Sequence, residues 1–329
     1  MPEIDVILPF NRVDQYFIAS VGSIFRSEGV RIRILLMDDR IDTSEEIPQL
    51  PSGTVLILRT LKRGYGNAIS EGLQHLKCDY FGVMNSDDLV HPKKFITQIQ
   101  DLENQNAELS VGRIIKFNDS GKILSQSLGH LTKRRYNPRV LLLGAYGADA
   151  TWCGRSENVK IWSISNELAA DWITAIKNFP NFKIVYSPDA LYFYRQHKDQ
   201  ITKSNDFKNS SFESIYTSWN AMNVKEINVP LTIEAAKLVA APWLVQAKSS
   251  KRSISDAGHW LKRYDYLTNG DFQNLVNRRH AYLIFQGFRS RVFLVGNLIP
   301  ALLGVVSYFF EKILNKFERK HFKEFLDFK

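Results

Sequence analysis

The first 110 residues alternate short, nearly continuous apolar runs with amphipathic stretches of helix length, and that alternation restricts the fold more than any other feature of the chain. DVILPF (5–10), RIRILLMDD (31–39), TVLILRT (54–60) and DYFGVM (79–84) read as buried strands. Residues 14–27 place Phe17, Val21, Ile24 and Phe25 at helical spacing behind Asp14, a suitable N-cap, and GNAISEGLQHL (66–76) reads as a second amphipathic helix. Strands alternating with helices imply right-handed βαβ crossovers, hence an α/β fold with a mainly parallel sheet flanked by helices.

In an open sheet of this kind, ligands bind beyond the carboxyl ends of the strands. Pro9, Phe10, Asn11 and Arg12 close the first run, Asp38 and Asp39 the second, and Asp87 and Asp88 follow the run DYFGVM. A single Asp-Asp at a strand end is served equally well by a solvated turn or a helix cap. Two such pairs at successive strand ends suit an oxygen-seeking divalent cation, Mg²⁺ or Mn²⁺, bridged to a diphosphate.

Composition removes several other classes. The 329 residues are 44% hydrophobic and 23% charged, too apolar for a disordered chain. Cys78 and Cys153 stand in unrelated contexts, so neither a disulfide framework nor a zinc site is expected, and a reducing compartment fits. The start, MPEIDVILPF, lacks the basic flank and long apolar core of a secretory signal, and the mature protein is expected to begin at Met1. Of the net charge of +9, residues 272–329 supply +6, with ten Lys/Arg against four Asp/Glu. The rest is nearly balanced, which argues against a nucleic-acid partner. No Gly-x-Gly-x-x-Gly follows the first strand, which weakens a Rossmann dehydrogenase reading.

The order strand, Pro-Phe-Asn-Arg, strand, Asp-Asp, helix, Ser-Asp-Asp-x-x-x-Pro resembles the family-2 glycosyltransferases of the GT-A fold, over about the first 205 residues. The resemblance implies that Pro9 and Phe10 lie against the nucleotide base, with Arg12 nearby. Asp39 would accept a hydrogen bond from the base and Asp38 would support its loop. It further implies Asp88 as metal ligand, Asp87 as a contact to the sugar-nucleotide, and Pro92 at the start of the next helix. LKRGYGNAISEG resembles the family's glycine-rich stretch, with Lys62 and Ser70 where asparagines are usual. Arg63, Gly64 and Asn67 in it are candidate donor contacts: the glycines free the backbone near a phosphate, and Arg63 or Lys62 could pair with its oxygens. A solvated basic turn accounts for the same residues.

The run SISNELAADWITAIKNFPNFKIVYSPDALYFYRQHKDQIT is similar to the family's acceptor half, an acidic residue, Asp-Trp, helix, strand and Tyr-Arg-x-His. The resemblance places Asp171 as the base of an inverting transfer and His197 at the metal or diphosphate, with Arg195 nearby. Glu167, four residues before Asp171, is the reserve candidate for the base or an acceptor contact. Trp152, Trp162 and Trp172 offer faces for sugar stacking or, equally, for core packing. The expected function is therefore transfer from a nucleotide-diphosphosugar, by default a uridine diphosphate sugar, to a glycan or lipid-linked acceptor. A non-catalytic nucleotide-sugar or glycan binder on the same scaffold is the alternative, and Asp171 discriminates, because a binder has no use for a base.

The expected organisation is a nucleotide-sugar-binding half at 1–110, an acceptor half at 111–205, a helical extension at 206–290, to which no chemistry is assigned, and a tail at 291–329. In that tail, residues 292–310 carry no charge over 19 positions, and ILNKFERKHFKEFLDF (313–328) is apolar on one side and basic on the other. Basic residues on both flanks, with Gly296, Pro300 and Gly304 within, argue against a simple crossing. The expectation is a cytoplasmic chain attached monotopically to the membrane surface. A hairpin packed on the catalytic domain is the other reading.

Overall fold

The structure, a computed structural model, describes residues 1–50, 54–126, 148–161, 171, 174, 175, 178, 182–198 and 200. The chain divides into two compact units, Met1–Leu141 with Ala145–Met222, and Leu142–Gly144 with Asn223–Lys329. All described residues belong to the first. The expected helical extension and apolar tail lie outside them, as do Glu167, Trp162 and Trp172.

The expected elements form close to their expected bounds. They are β1 (Glu3–Phe10), α1 (Gln15–Phe25), β2 (Arg31–Asp38), β3 (Val55–Arg59), α2 (Tyr65–Gln74) and β4 (Tyr80–Val83). Asp14 caps α1, accepting the N–H groups of Tyr16 and Phe17 at 2.9 Å each. A two-residue strand, β5 (Leu89–Val90), leads to α3 (Lys94–Gln105), which begins two residues after Pro92. Then follow β6 (Leu109–Asn118), β7 (Ile123–Gln126), a 3₁₀ turn at Asp149–Thr151, β8 (Trp152–Arg155) and β9 (Ile184–Gln196).

The strands form one sheet in the order β3-β2-β1-β4-β8-β6-β9-β5, with β7 paired to β6 outside that path. β3, β2, β1 and β4 run parallel, as the βαβ pattern requires. Beyond β4 the sheet is mixed. β8 is antiparallel to both β4 and β6, which makes β6 parallel to β4, and β9 is parallel to β6. The carboxyl ends of β1, β2, β3, β4 and β9 therefore open on one edge. The 3₁₀ turn reaches the same edge because it precedes a strand running the opposite way.

Both faces of the central strands are buried, which is why they read as unbroken apolar runs. On β1, Ile4, Val6, Leu8 and Phe10 join one cluster with Phe17, Val21 and Ile24 of α1 and Phe95, Ile99 and Leu102 of α3. Ile7 joins the other, with Leu35, Met37 and Ala68, Ile69 and Leu73 of α2. α2 approaches β1 so closely that a Cβ on Gly72 would lie 2.7 Å from Ile7 Cγ2. Asp5 is the one buried charged side chain within this core strand, with no exposed surface. Arg33 clasps it at 2.5 and 2.8 Å, and the N–H groups of Lys77 and Cys78 donate to it at 2.6 and 2.9 Å.

Candidate active site

The parity of β1 decides the fate of the first loop. Phe10 falls on the α1 face, is 2% exposed, stacks on Phe17 at 4.8 Å and carries the Arg40 guanidinium over its ring at 5.4 Å. The ring expected against the nucleotide base is thus covered on both counts. Pro9 is buried beside it in register with Met37, and exposed Arg12 pairs with Asp14 at 3.2 Å.

The first carboxylate pair splits into two tasks. Asp38 holds Arg40 through both oxygens at 2.9 Å and meets Arg59 at 3.1 Å. Burial pushes its pKa up, but the Arg40 side-chain and backbone bonds and the charge of Arg59 bring it below the ordinary carboxylate range. Asp38 is a buried clamp that shapes the loop. Asp39 turns to the amino end of α2, where Gly64 N–H lies 3.1 Å from each carboxylate oxygen and Thr60 Oγ1 donates at 2.9 Å. A carboxylate there complements the helix dipole. Gly64 adopts φ 118°, a conformation that favours glycine, so the glycine-rich stretch serves this contact. Arg63 is exposed beside it and its carbonyl accepts from Asn67 Nδ2 at 2.9 Å.

The second pair also divides, and more sharply. Asp88 is fully buried. Its carboxylate accepts the Arg195 N–H at 2.6 Å, Asn85 Nδ2 at 3.1 Å and the Tyr192 hydroxyl. Burial and the neighbouring charge of Asp87 push its pKa up, and those three donors pull against that rise. Asp87 instead keeps its side chain 29% exposed and meets His197 Nε2 at 3.1 Å through Oδ2. His197 tilts against the Tyr16 ring at 4.9 Å. Arg195 donates through Nε to the Asp87 carbonyl at 2.9 Å and is packed between Tyr16 and Phe117, at 4.8 and 4.7 Å, so its guanidinium braces the loop. β9 thus delivers Tyr192, Arg195 and His197 to the loop after β4, because both strands end on the same edge.

A third acidic feature was not expected from the sequence. Asp149, in the 3₁₀ turn before β8, is 5% exposed and faces Asp171. Its Oδ1 accepts the Ala150 N–H at 2.8 Å, and near it is Tyr65, whose hydroxyl donates to Asn85 Oδ1 at 2.8 Å. Burial first, then the charge of Asp171, push the Asp149 pKa up to about 7. Tyr65 is 37% exposed, and its hydroxyl is turned to Asn85 in the loop after β4. No motif in GADATW marks Asp149; the only signal for Asn85 and Tyr65 is their nearness to Asp87 and Gly64. Trp152, the described member of the tryptophan trio, is 2% exposed and packs in the core with Leu109 and Val111.

Comparison with known proteins agrees with this geometry. Residues 5–158 match the profile of Glycosyl transferase family 2. The Glycosyltransferase GlyG of Streptococcus pneumoniae serotype 4 (strain ATCC BAA-334 / TIGR4) is 26% identical over 122 residues, 36% of this chain and 40% of that protein, so the likeness spans less than half of it. Among solved structures, S. aureus TarS 1–349 in complex with UDP-GlcNAc superposes with a TM-score of 0.56 at 16% identity, over 87% of this chain and 85% of that one. The same protein in complex with UDP gives 0.54 at 15% identity, over 85% and 83%. At such identities these structures speak for the fold alone, and the family profile covers just under half of the chain: residues 5–158 resemble glycosyl transferase family 2, on the fold of these solved structures.

Proposed function

We propose that the protein is an inverting glycosyltransferase that moves a sugar from a nucleotide-diphosphosugar, of the uridine diphosphate class, to a hydroxyl of a glycan or lipid-linked acceptor. The observation that carries this reading is one strand edge bearing two chemically distinct acidic centres. On one side Asp87 and His197 converge at 3.1 Å; on the other Asp171 lies beside buried Asp149. A binder needs the first centre and not the second.

In this reading Asp171 takes the proton of the acceptor hydroxyl as its oxygen attacks the anomeric carbon, and the nucleotide diphosphate leaves from the opposite face. Asp39, fixed at the amino end of α2, would receive the base, and exposed Arg63, next to Gly64, would pair with the diphosphate. The donor set suits a divalent cation at Asp87 and His197 rather than at Asp88, whose acceptor capacity goes to three protein donors. Among the described residues no group of three or more His, Cys, Asp or Glu could hold a metal, so of these residues Asp87 and His197 would be the ligands, with diphosphate and water at further positions. When bound, the cation offsets the charge that develops on the leaving diphosphate.

Among the described residues no helix is long and apolar enough to cross a membrane. The uncharged stretch 292–310 and the basic amphipathic run after it support a monotopic contact with the cytoplasmic face, where a lipid-linked acceptor would be presented.

The experiment is a panel of nucleotide-sugars offered to the full chain, with sugar release and transfer followed alongside the Asp171→Asn variant. One donor should be turned over, and Asp171→Asn should keep its affinity while turnover falls roughly 10²–10⁴-fold, the worth of a positioned base. Equal loss of binding and turnover would remove Asp171 from the chemistry, and a panel without turnover would leave the binder.

A further inference from the structure

Tyr16 has no part in the chemistry proposed above, yet its ring touches both basic side chains that β9 brings to the loop after β4. It packs against the His197 imidazole with centroids 4.9 Å apart and planes inclined by 33°, and the Arg195 guanidinium carbon lies over it at 4.8 Å. The ring itself is held from two sides. Asp14 caps α1 through the N–H groups of Tyr16 and Phe17 at 2.9 Å each, and Phe17 is set in the core against Phe10 at 4.8 Å.

His197 has no such support from the sheet. It is the first residue after β9, and the register of β9 with β6 ends one residue earlier, at Gln196. The direction of its imidazole is set from outside the ladder. Nε2 meets Asp87 Oδ2 at 3.1 Å, the Tyr16 ring packs on the imidazole, and the His197 side chain is left 1% exposed.

We propose that Tyr16 is a positioning residue for the Asp87 and His197 centre: its ring is the wall that keeps the imidazole edge turned to Asp87, so that the two donors converge before a cation arrives. The proposal rests on the reading of Asp87 and His197 as cation ligands. A ligand already in place has no rotamer freedom left to lose when metal binds. Residues that orient metal ligands typically change metal affinity roughly 10–100-fold, and a ring contact without a hydrogen bond to the imidazole belongs at the lower end, roughly 10-fold.

Arg195 offers the other route by which Tyr16 could act, and its surroundings separate the two. The guanidinium lies between Tyr16 and Phe117, at 4.8 and 4.7 Å, and its Nε donates to the Asp87 carbonyl at 2.9 Å. Were Tyr16 to work through Arg195, loss of the Phe117 ring would do the same damage. Working through the imidazole, Tyr16 alone matters.

Calorimetry of uridine diphosphate binding to the full chain, with and without Mn²⁺, tests the proposal beside the NMR signal of the His197 ring, identified by its loss in His197→Gln. Tyr16→Leu should lower the Mn²⁺ contribution to uridine diphosphate affinity roughly 10-fold and leave binding without metal unchanged. Tyr16→Phe, which keeps the ring, should retain that contribution, and so should Phe117→Leu. In the spectrum, Asp87→Asn should shift the His197 signal of the wild type and shift it much less in the Tyr16→Leu background, because an imidazole that has swung away no longer senses that carboxylate. Full metal dependence in Tyr16→Leu, an equal loss in Phe117→Leu, or an unaltered response of His197 to Asp87→Asn in Tyr16→Leu would each overturn the proposal. A wild type that binds uridine diphosphate without regard to Mn²⁺ would end the cation reading of the centre, and the response of His197 to Asp87→Asn would then decide the role of the ring by itself.

Discussion

Asp87 and Asp88 are neighbours in sequence, and exchanging each for a neutral residue should produce two different defects. Asp88→Ala leaves the Tyr192 hydroxyl, the Arg195 N–H and Asn85 Nδ2 facing a void in a fully buried site. At about 1–3 kcal/mol for each buried donor without an acceptor, the loss is roughly 3–6 kcal/mol if the donors relax partly, against a total of about 5–15 kcal/mol for a domain. Asp88→Asn is milder. Its oxygen can serve the Arg195 N–H and its amide can donate to the Tyr192 oxygen, which strands Asn85 Nδ2 alone and costs about 1–3 kcal/mol. Asp87 is part-exposed with one imidazole partner, so Asp87→Asn should change stability by no more than about 1 kcal/mol. The divalent cation should respond in the opposite order. Urea unfolding without metal, and calorimetry of uridine diphosphate binding with and without Mn²⁺, separate the two. The reasoning predicts a lowered urea midpoint for both Asp88 variants, with metal-dependent binding retained in Asp88→Asn and abolished in Asp87→Asn. If Asp88→Asn abolishes the metal dependence at an unchanged midpoint while Asp87→Asn keeps it, the ligand is Asp88, as the family resemblance implied, and the division drawn from hydrogen bonds is wrong.

Three further outcomes follow from the fold and the tail. Burial pushes the Asp5 pKa up, but Arg33 and the Lys77 and Cys78 N–H groups hold it net below the ordinary value, so its contribution is present above the unfolded value of about 4 and fades as pH falls through the folded one. Asp5→Asn should accordingly lose urea stability at neutral pH and converge on the wild type in acid, and a constant gap between them would refute this. Gly72→Ala, with its Cβ 2.7 Å from Ile7 Cγ2, should cost about 1–3 kcal/mol by overpacking, and less when Ile7→Ala has removed that carbon, measured as a double-mutant cycle in urea. The full chain should sediment with anionic liposomes while a chain ending at Gly270 does not; equal behaviour of the two would remove the membrane contact.

How much was legible depended on whether the determining contacts were local. β1, β2 and β4 announce themselves because both their faces are covered, and α1 because Asp14 caps it with contacts two and three residues away. β8 is four residues, WCGR, set antiparallel between β4 and β6, and nothing in so short a run encodes partners that lie over 40 residues earlier. Asp149 was silent for the same reason, since its meaning comes from Tyr65 and Asp171, which the sheet brings to it. Phe10 was legible and was read past. Its place next to Pro9 suggests a base contact, yet alternation from Ile4 through Val6 and Leu8 already sends it to the α1 face. The acidic pairs divide as well. In the two pairs, Asp38 goes to Arg40 and Asp88 to Tyr192 and Arg195, while Asp39 and Asp87 face the edge where β1, β2, β4 and β9 end. Each Asp-Asp thus gives one carboxylate to the scaffold and leaves the other nearer the strand edge. The buried member holds the loop that aims the exposed one. Its charge must then be matched by donors of the protein's own, and for Asp88 those donors come from β9, the strand that also carries His197. The place of β9 in the sheet beside β6 therefore both seats Asp88 and delivers the imidazole to Asp87.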